Sequence, residues 1–342
     1  MVGYLTEQGI GQAKIQWGAE KNEKILDDPK VSEEVKRKIL LIEDYKKFFY
    51  HYFDAKKTGI YTKTSLLDHD AVSYLVIASK HTKIEAHEFK FPFMGAFPYI
   101  GFFKKSSAES FAKKLREKEN LVTYIRPVYA YSTLGYLEDR ILSSFFHYND
   151  VELAELIFHE LFHTVFFVKD EVELNENLAN YYGKELVAEY FKGSDGLNGH
   201  ILLEGKRKLL SQKIVELIAL LQDEFKKLGG FITDEEADIL TNRFVTEVFN
   251  PEVANYCEKI KLQDGECNFG NRWNQASFAA FLTYEEKQDF ISDLRKMKDQ
   301  NLKEFLGWLK DQEKEFKKEK NKDLSFADFL KKKVPHAPLA TN

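Results

Sequence analysis

The stretch "LIFHELFHTVFF", residues 156–167, constrains the fold of this chain more than any other. Its apolar residues would cover nearly the whole circumference of a helix, so we expect that helix to be buried. Yet the stretch also carries His159, Glu160 and His163, and burying two imidazoles and a carboxylate without partners costs several kcal/mol. The pattern therefore predicts a buried helix whose polar groups share one partner. The alternative is a core helix with hydrogen-bonded histidines.

The spacing of these polar residues predicts a metal site. His159 and His163 stand four residues apart, which places them one turn apart on the same face of a helix. Two neutral imidazoles so placed can bind one tetrahedral Zn²⁺, and Glu160, which points to the side, can reach a water held by the metal. This is the H-E-x-x-H pattern, in which the glutamate serves as general base of a metallopeptidase. The metzincin extension is excluded because the chain has Phe166 and Lys169 where glycine and histidine are needed.

Glu176 is the predicted third ligand, ahead of Glu171 and Glu173. Two antiparallel helices joined by a tight turn would bring Glu176 back to the histidine pair. Glu171 and Glu173 fall at the turn and in the first turn of the second helix, where carboxylates are expected simply because they stabilise the positive helix end. Asp170 and Glu173 form a candidate capping box for this helix. Asn175 is expected to hold the Glu176 carboxylate.

Periodicity predicts an α+β, mostly helical fold. Helical spacing of apolar residues covers residues 4–55 and nearly everything after Val151. Strand-like aromatic and β-branched stretches lie between them, at residues 71–79, 96–103 and 121–135. Pro127 removes a backbone donor, so the last strand is expected at a sheet edge.

With the H-E-x-x-H motif, this order suggests a zincin-like core with a small mixed sheet, an H-E-x-x-H helix and a helical C-terminal half. We expect the catalytic region, with its N-terminal helices and sheet, at residues 1–195 and a helical region that completes the cleft at residues 196–342. Glycine and aspartate cluster near this boundary, in "FKGSDGLNGH".

Composition excludes some classes of protein. The net charge of −5 argues against a general nucleic-acid surface, and no apolar run is long enough for a transmembrane helix. Cys257 and Cys267 form neither a zinc motif nor a redox C-x-x-C, so both a disulfide and two free thiols remain open. The N-terminal "MVGYLTEQGIGQ" has neither a basic nor an apolar segment, so no signal peptide is expected within it.

Several segments together resemble the family of predicted bacterial zinc aminopeptidases, over most of residues 3–185. The resemblance rests on "GYLTEQGIGQ", "FPFMGAFPYIGFF", "AYSTLGYLEDRIL", "LAELIFHELFHTVFFVKD" and "LNENLA", with a weaker echo in "WNQASFAAFLTY". It implies His159, His163 and Glu176 as zinc ligands and Glu160 as the catalytic carboxylate. It also implies export and a lipidated cysteine just before Gly3, hence the periplasm or cell envelope. We expect any lipid anchor to lie upstream of this chain.

Two further roles in peptide hydrolysis are predicted outside the zinc motif. Ser132, Thr133 and Gly135, in "YSTLG", lie where a sheet edge could pair with the backbone of a peptide substrate. Tyr284 could donate its hydroxyl to the oxyanion of the tetrahedral intermediate. The alternatives are an ordinary strand end for the first and a core aromatic for the second.

Other polar residues are weaker candidates. Asn274 and Gln275 could orient ligands or cap a helix. Adjacent residues of an extended segment point opposite ways, so the cluster Asp68-His69-Asp70 is not expected to share a metal. Binding of a substrate α-ammonium would need a carboxylate, for which the nearest candidates are Glu138 and Asp139.

The sequence thus predicts zinc-dependent hydrolysis of peptide bonds, with Glu160 as general base and aminopeptidase activity implied by the resemblance. The alternative is a zinc protein that binds a peptide or partner without cleaving it. Both need the same ligands, but only the enzyme needs Glu160 as a base.

Overall fold

A computed structural model of the protein describes residues 2–67, 71–91, 95–129, 139–169, 171–229, 231–262, 267, 273–284, 289–319 and 324–333. In that part of the chain the α-helices are α1 (Val2–Trp17), α2 (Asn22–Asp27), α3 (Glu33–Tyr52), α4 (Lys105–Glu119), α5 (Asp150–Phe162), α6 (Val172–Tyr190), α7 (Asp195–Leu228), α8 (Asp234–Phe244), α9 (Asn250–Lys259), α10 (Gln275–Tyr284), α11 (Asp289–Lys298), α12 (Leu302–Phe316) and α13 (Phe326–Lys331). A 3₁₀ helix covers Ser143–His147 and a π-helical turn covers Val245–Phe249.

The strands are β1 (Glu20–Lys21), β2 (Lys63–Ser65), β3 (Ser73–Ser79), β4 (Phe89–Phe91), β5 (Gly95–Phe97), β6 (Ile100–Phe102), β7 (Val122–Val128) and β8 (Ile141–Leu142). They form small sheets in an otherwise helical protein, which confirms the predicted α+β, mostly helical class. Among the helices described, none combines the length and the apolar character needed to cross a bilayer.

The chain folds into two compact units. Unit 1 gathers Met1–Lys14, His69–Tyr131 and Asn198–Glu285, and unit 2 gathers Ile15–Asp68, Ser132–Leu197 and Glu286–Asn342. The chain passes between units within the glycine-rich stretch 191–200 and also at earlier and later points. The sequence instead suggests a single division near residue 195. The predicted catalytic role of the first region, and the predicted role of the second in completing the cleft, stay predictions.

Unit 1 is built around an antiparallel sheet with the strand order β6-β3-β7. Strand β7 therefore lies at its edge, as Pro127 predicts, and Pro127 pairs there with Tyr74. Helix α4 packs on this sheet through Ala108, Ala112 and Leu115. A second apolar core joins α7, α8, α9 and α10, and near it Cys257 and Cys267 form a disulfide with a Cα–Cα distance of 6.2 Å.

Unit 2 holds the predicted metal helix in a helical core. Helix α5 packs against α3 and α6, and Phe158 contacts Tyr45 and Phe48 of α3 with ring centroids 5.8 and 5.7 Å apart. Tyr182 of α6 stacks on Phe162 of α5, with ring centroids 4.2 Å apart. Strand β2 joins antiparallel β1 and parallel β8 in a short mixed sheet. The burial predicted for α5 is confirmed, because Leu153, Ala154, Ile157, Phe158, Leu161 and Phe162 have no exposed surface.

Candidate metal centre

Helix α5 begins with a capping box and ends earlier than the apolar pattern predicts. The Asn149 side chain accepts hydrogen bonds from the N–H groups of Val151 and Glu152. The Glu152 carboxylate in turn accepts a hydrogen bond from the Asn149 N–H. The sequence predicts a helix through residue 167, but α5 ends at Phe162 with His163 as its C-cap. The predicted end of the helix is therefore wrong. Backbone hydrogen bonds between residues three apart, rather than four, tighten the last turn, among them Val165 N–H to the Phe162 carbonyl at 3.0 Å.

Asn175 holds the segment that joins the two helices. Its Oδ1 accepts from the Val168 N–H at 2.8 Å, and its Nδ2 donates to the Val168 carbonyl at 2.7 Å. The side chain is buried, so these two bonds fix the turn that leads from α5 into α6. The side-chain bonds described for Asn175 thus go to Val168, and the predicted bond to the Glu176 carboxylate is not among them.

Helices α5 and α6 run antiparallel, and Glu176 returns to the histidine pair. Its Oε2 lies 3.3 Å from His159 Nε2, and its Oε1 lies 3.5 Å from His163 Nε2. The two Nε2 atoms are themselves 3.3 Å apart, with the imidazole planes at 83°. Side chains from α5, from its C-cap and from α6 thus converge on one point, each through an atom that can bind a metal.

Glu160 belongs to the same cluster but is buried deeper than Glu176. His159, Glu160 and His163 each offer a ligand atom within 4.8 Å of the others, and Glu160 is only 8% exposed. The Glu176 side chain is 41% exposed, whereas those of His159 and His163 are 14% and 4% exposed. The cluster therefore has a buried side, lined by Glu160 and His163, and a side that solvent reaches at Glu176.

The two histidines differ in their electrostatics. Burial alone would lower the pKa of His159, but its hydrogen bond with Glu176 and the charges of Glu160 and Glu176 outweigh burial and raise that pKa. Burial and the neighbouring His159 lower the pKa of His163 to about 4. Burial would raise the pKa of Glu176, yet its hydrogen bond with His159 lowers it. Around neutral pH, Glu176 is ionised and His163 is neutral, the forms in which these groups bind a metal.

The other candidates for the third ligand point elsewhere. A Glu171 oxygen accepts from the Phe326 N–H at the start of α13, and Glu173 is exposed. Asp170 lies outside the described residues; the N-cap of α6 is Glu171, which makes no side-chain capping bond. The predicted capping box of Asp170 and Glu173 therefore stays a prediction.

Asn180 is a partner of the cluster that the sequence analysis missed. It forms a side-chain hydrogen bond with His159 that helps to raise the pKa of this histidine. The signal was present in the sequence, because Asn180 follows Glu176 by four residues and so shares its helix face. A polar partner of a ligating imidazole orients the ring. Nδ1 of His163 is buried and has no such partner among the described residues.

Several predicted substrate-binding residues cannot be placed. Ser132, Thr133 and Gly135 lie outside the described residues, as do Asp68, His69, Asp70 and Glu138. Tyr284 is the last residue of α10, but its side chain is not described. Asp139 is described and is 4% exposed. The roles proposed for these residues in substrate binding and oxyanion stabilisation stay predictions.

Asn274 and Gln275 have structural partners in unit 1. Asn274 Oδ1 accepts from the Ser277 N–H at 2.9 Å and its N–H donates to Ser277 Oγ at 2.8 Å, so it caps α10. Gln275 donates to the His81 carbonyl at 2.7 Å and to Asp238 at 3.1 Å. Of the two readings left open by the sequence, the structure supports helix capping for Asn274 and a structural bridge for Gln275.

Comparison with known proteins identifies a family. A family model described as "Putative aminopeptidase" matches residues 3–324, nearly the whole chain. No curated protein and no solved structure matches the chain significantly.

Proposed function

Because the chain belongs to the Putative aminopeptidase family, we propose that it is a zinc-dependent peptidase that removes residues from the amino end of peptides. The observation that carries this proposal is the convergence of His159 Nε2, His163 Nε2 and the Glu176 carboxylate, with Glu160 in the same cluster. The family description speaks of a peptidase, and the zinc chemistry is inferred from these side chains.

The geometry of the donor atoms fits a zinc ion. Zinc–nitrogen distances of about 2.0–2.1 Å with tetrahedral angles place two ligating nitrogens about 3.3 Å apart. The Nε2 atoms of His159 and His163 are separated by 3.3 Å, and the Glu176 oxygens lie 3.3 and 3.5 Å from them. Two imidazoles and one carboxylate form the ligand set of catalytic zinc sites that leave a fourth position open.

Each side chain then has a separate task. His159, His163 and Glu176 would hold the ion, which when bound polarises a carbonyl and makes water more acidic. Glu160 takes a proton from the attacking water and passes it to the nitrogen of the departing amine. Burial of Glu160 excludes most water from its carboxylate, which strengthens its interaction with the groups that carry the proton.

A conservative substitution tests the role of Glu160. Glu160→Gln should keep the bound zinc and lose at least about 10²–10⁴-fold in peptide hydrolysis, because glutamine cannot accept the proton. Glu155→Gln, on the same helix, is the matched control and should retain both. Near-native turnover of Glu160→Gln would remove this residue from the mechanism. A wild-type protein that binds zinc and cleaves no peptide would instead be the non-catalytic binding protein.

The exopeptidase activity requires its own experiment. An aminopeptidase recognises the charged α-ammonium, so acetylation of the peptide N-terminus should abolish cleavage. Paired peptides of the same sequence, one free and one acetylated, provide the comparison. Equal cleavage of both would make the protein an endopeptidase and would leave the zinc site unaffected.

A further inference from the structure

Helix α7, which lies almost wholly in unit 1, exposes leucines on the face opposite its buried side. The buried side packs into the apolar core that α7 shares with α8, α9 and α10. On the outer face, Leu202, Leu209 and Leu220 are 62%, 45% and 54% exposed. Single exposed leucines are ordinary on a protein surface, but leucines that recur on one side of a helix point to a partner.

The three leucines belong to one stripe with heptad spacing. Alternate steps of four and three residues that start at Leu202 and end at Lys227 pass through Leu209 and Leu220. This alternation is the spacing of the contact positions in a two-helix coiled coil. All the residues on the stripe, here called the α7 seam, are exposed or partly exposed. The helix that carries them is continuous over 34 residues, so the whole α7 seam can face one partner helix.

The apolar residues of the α7 seam complement those of a second, antiparallel copy. A two-fold axis at the level of residues 214 and 215 places residues that are equally far from it opposite each other. Leu209 then faces Leu220 of the second copy, and Leu220 faces Leu209, so leucine pairs lie on both sides of the axis. At each end Leu202 faces Lys227, whose aliphatic stem can cover the leucine while its ammonium stays in water.

The charged residues of the α7 seam match in the same register. Lys213 faces Glu216 of the second copy, and Lys206 faces Asp223. Each match occurs twice because of the two-fold axis, and no like charges are opposed along the seam. A parallel pair would instead place every lysine against the same lysine of the second copy, which is unfavourable. The charges therefore select the antiparallel arrangement that also pairs the leucines.

Contacts within the chain leave these lysines able to bind a second acceptor. Lys213 Nζ lies 3.1 Å from Glu252 Oε2 of α9, and Lys206 Nζ donates to the Lys261 carbonyl at 2.6 Å. An ammonium has three donors, so each lysine can keep this contact and add a carboxylate of the second copy. A side chain that is already held also loses less conformational entropy when it binds.

We propose that the outer face of α7 is a dimer interface, at which two copies of this chain pair their α7 helices antiparallel about a two-fold axis at residues 214 and 215. The partner is a second copy because the same stripe supplies both halves of each leucine pair and each pair of opposite charges. The proposal does not depend on zinc binding or on hydrolysis, since it rests on the α7 seam alone.

Sedimentation equilibrium of the purified full chain tests the association. The average mass should rise from 39.9 kDa toward twice that value as the protein is concentrated. Leu209→Lys should weaken the association at least about 10-fold, because it places an ammonium against Leu220 at two points of the interface. Leu40→Lys, the same change at a leucine of α3 that is 53% exposed, is the matched control and should associate like the wild type. A wild-type chain that stays monomeric at every concentration, or a Leu209→Lys chain that associates like the wild type, would overturn the proposal.

Disulfide cross-linking tests the antiparallel register. In this register residue 209 of one copy meets residue 220 of the other, whereas the two copies of residue 209 lie about 16 Å apart along the helices. A mixture of Leu209→Cys and Leu220→Cys should therefore form a disulfide-linked dimer under mild oxidation, and each variant alone should not. Cys257 and Cys267 are already bonded to each other and do not compete. A mixture that does not cross-link, or single variants that cross-link as well as the mixture, would contradict the proposed pairing.

Discussion

A Cβ built on Gly183 would lie 3.1 Å from the Glu155 carbonyl oxygen, so α6 approaches α5 at a distance that suits glycine at this position. The same Cβ would lie 3.4 Å from the His159 backbone nitrogen. Gly183 follows Glu176 by about two turns of the same helix. The close approach therefore helps to keep the Glu176 carboxylate level with the two imidazoles.

Replacing Gly183 should weaken both the fold and the metal site. Gly183→Ala should lower the free energy of unfolding by about 1 kcal/mol. Overpacking costs about 1–3 kcal/mol, which exceeds the stabilisation gained because alanine has a higher helix propensity than glycine. Gly307→Ala is the matched control in the same unit, because no atom lies within 4 Å of its added Cβ. It should raise stability by about 0.5–1 kcal/mol. Urea unfolding and zinc titration measure both effects; higher stability in Gly183→Ala would contradict the close packing.

Glu176 should account for much of the zinc affinity. Glu176→Ala is expected to weaken zinc binding by more than about 100-fold, because loss of an outer partner alone costs about 10- to 100-fold. The exposed Glu173, three residues earlier on α6, provides the control, and Glu173→Ala should bind zinc like the wild type. Competition with a chromophoric chelator measures the affinities. Equal affinity of Glu176→Ala and the wild type would show that another group completes the site.

Acid should destabilise the zinc-free protein through His163. The pKa of His163 is about 4 in the fold, below the ordinary 6.5, so the unfolded chain binds the proton more readily. The stability that this histidine contributes is complete above pH 6.5 and is lost as pH falls toward 4; it amounts to at most about 3 kcal/mol. His163→Gln should flatten the pH dependence of urea unfolding in this window, and the exposed His51→Gln should not. An unchanged slope in His163→Gln would contradict the assignment.

The disulfide should stabilise unit 1. Cys257 and Cys267 are separated by 10 residues, and closing a loop of this size stabilises a fold by about 3 kcal/mol. Reduction, or replacement of both cysteines by alanine, should lower the melting temperature, and reductant should have no further effect on the double variant. Thiol alkylation under denaturing conditions gives a direct control, since two reactive thiols in the unreduced protein would show that the bond is absent.

The metal helix could be predicted because few structures satisfy the hydrogen-bonding groups of polar side chains buried in an apolar helix. His159, Glu160 and His163 in an apolar helix need a common partner, and a second helix after a short turn supplies Glu176. The end of α5 could not be predicted, because the residues after Phe162 remain apolar while backbone bonds and the distant Asn175 fix the turn.

Parts of the fold outside the metal helix depend on contacts that leave no local pattern. Strand β2 is three residues long, too short to show alternation, and its partner β8 lies more than seventy residues away. Tyr61 has a φ of 58°, and its backbone is held there by bonds with Asn22, Lys46 and Asp139, which only the fold brings together. The cysteine pairing was open for the same reason, since it requires the 6.2 Å Cα–Cα distance that the fold creates.

The zinc content of the purified protein tests the central claim most directly. After reconstitution and removal of excess metal, elemental analysis should find about one zinc per chain in the wild type and in Glu160→Gln, and much less in a His159→Ala, His163→Ala double variant. A wild-type protein without zinc, or a double variant that retains it, would contradict the metal centre of His159, His163 and Glu176.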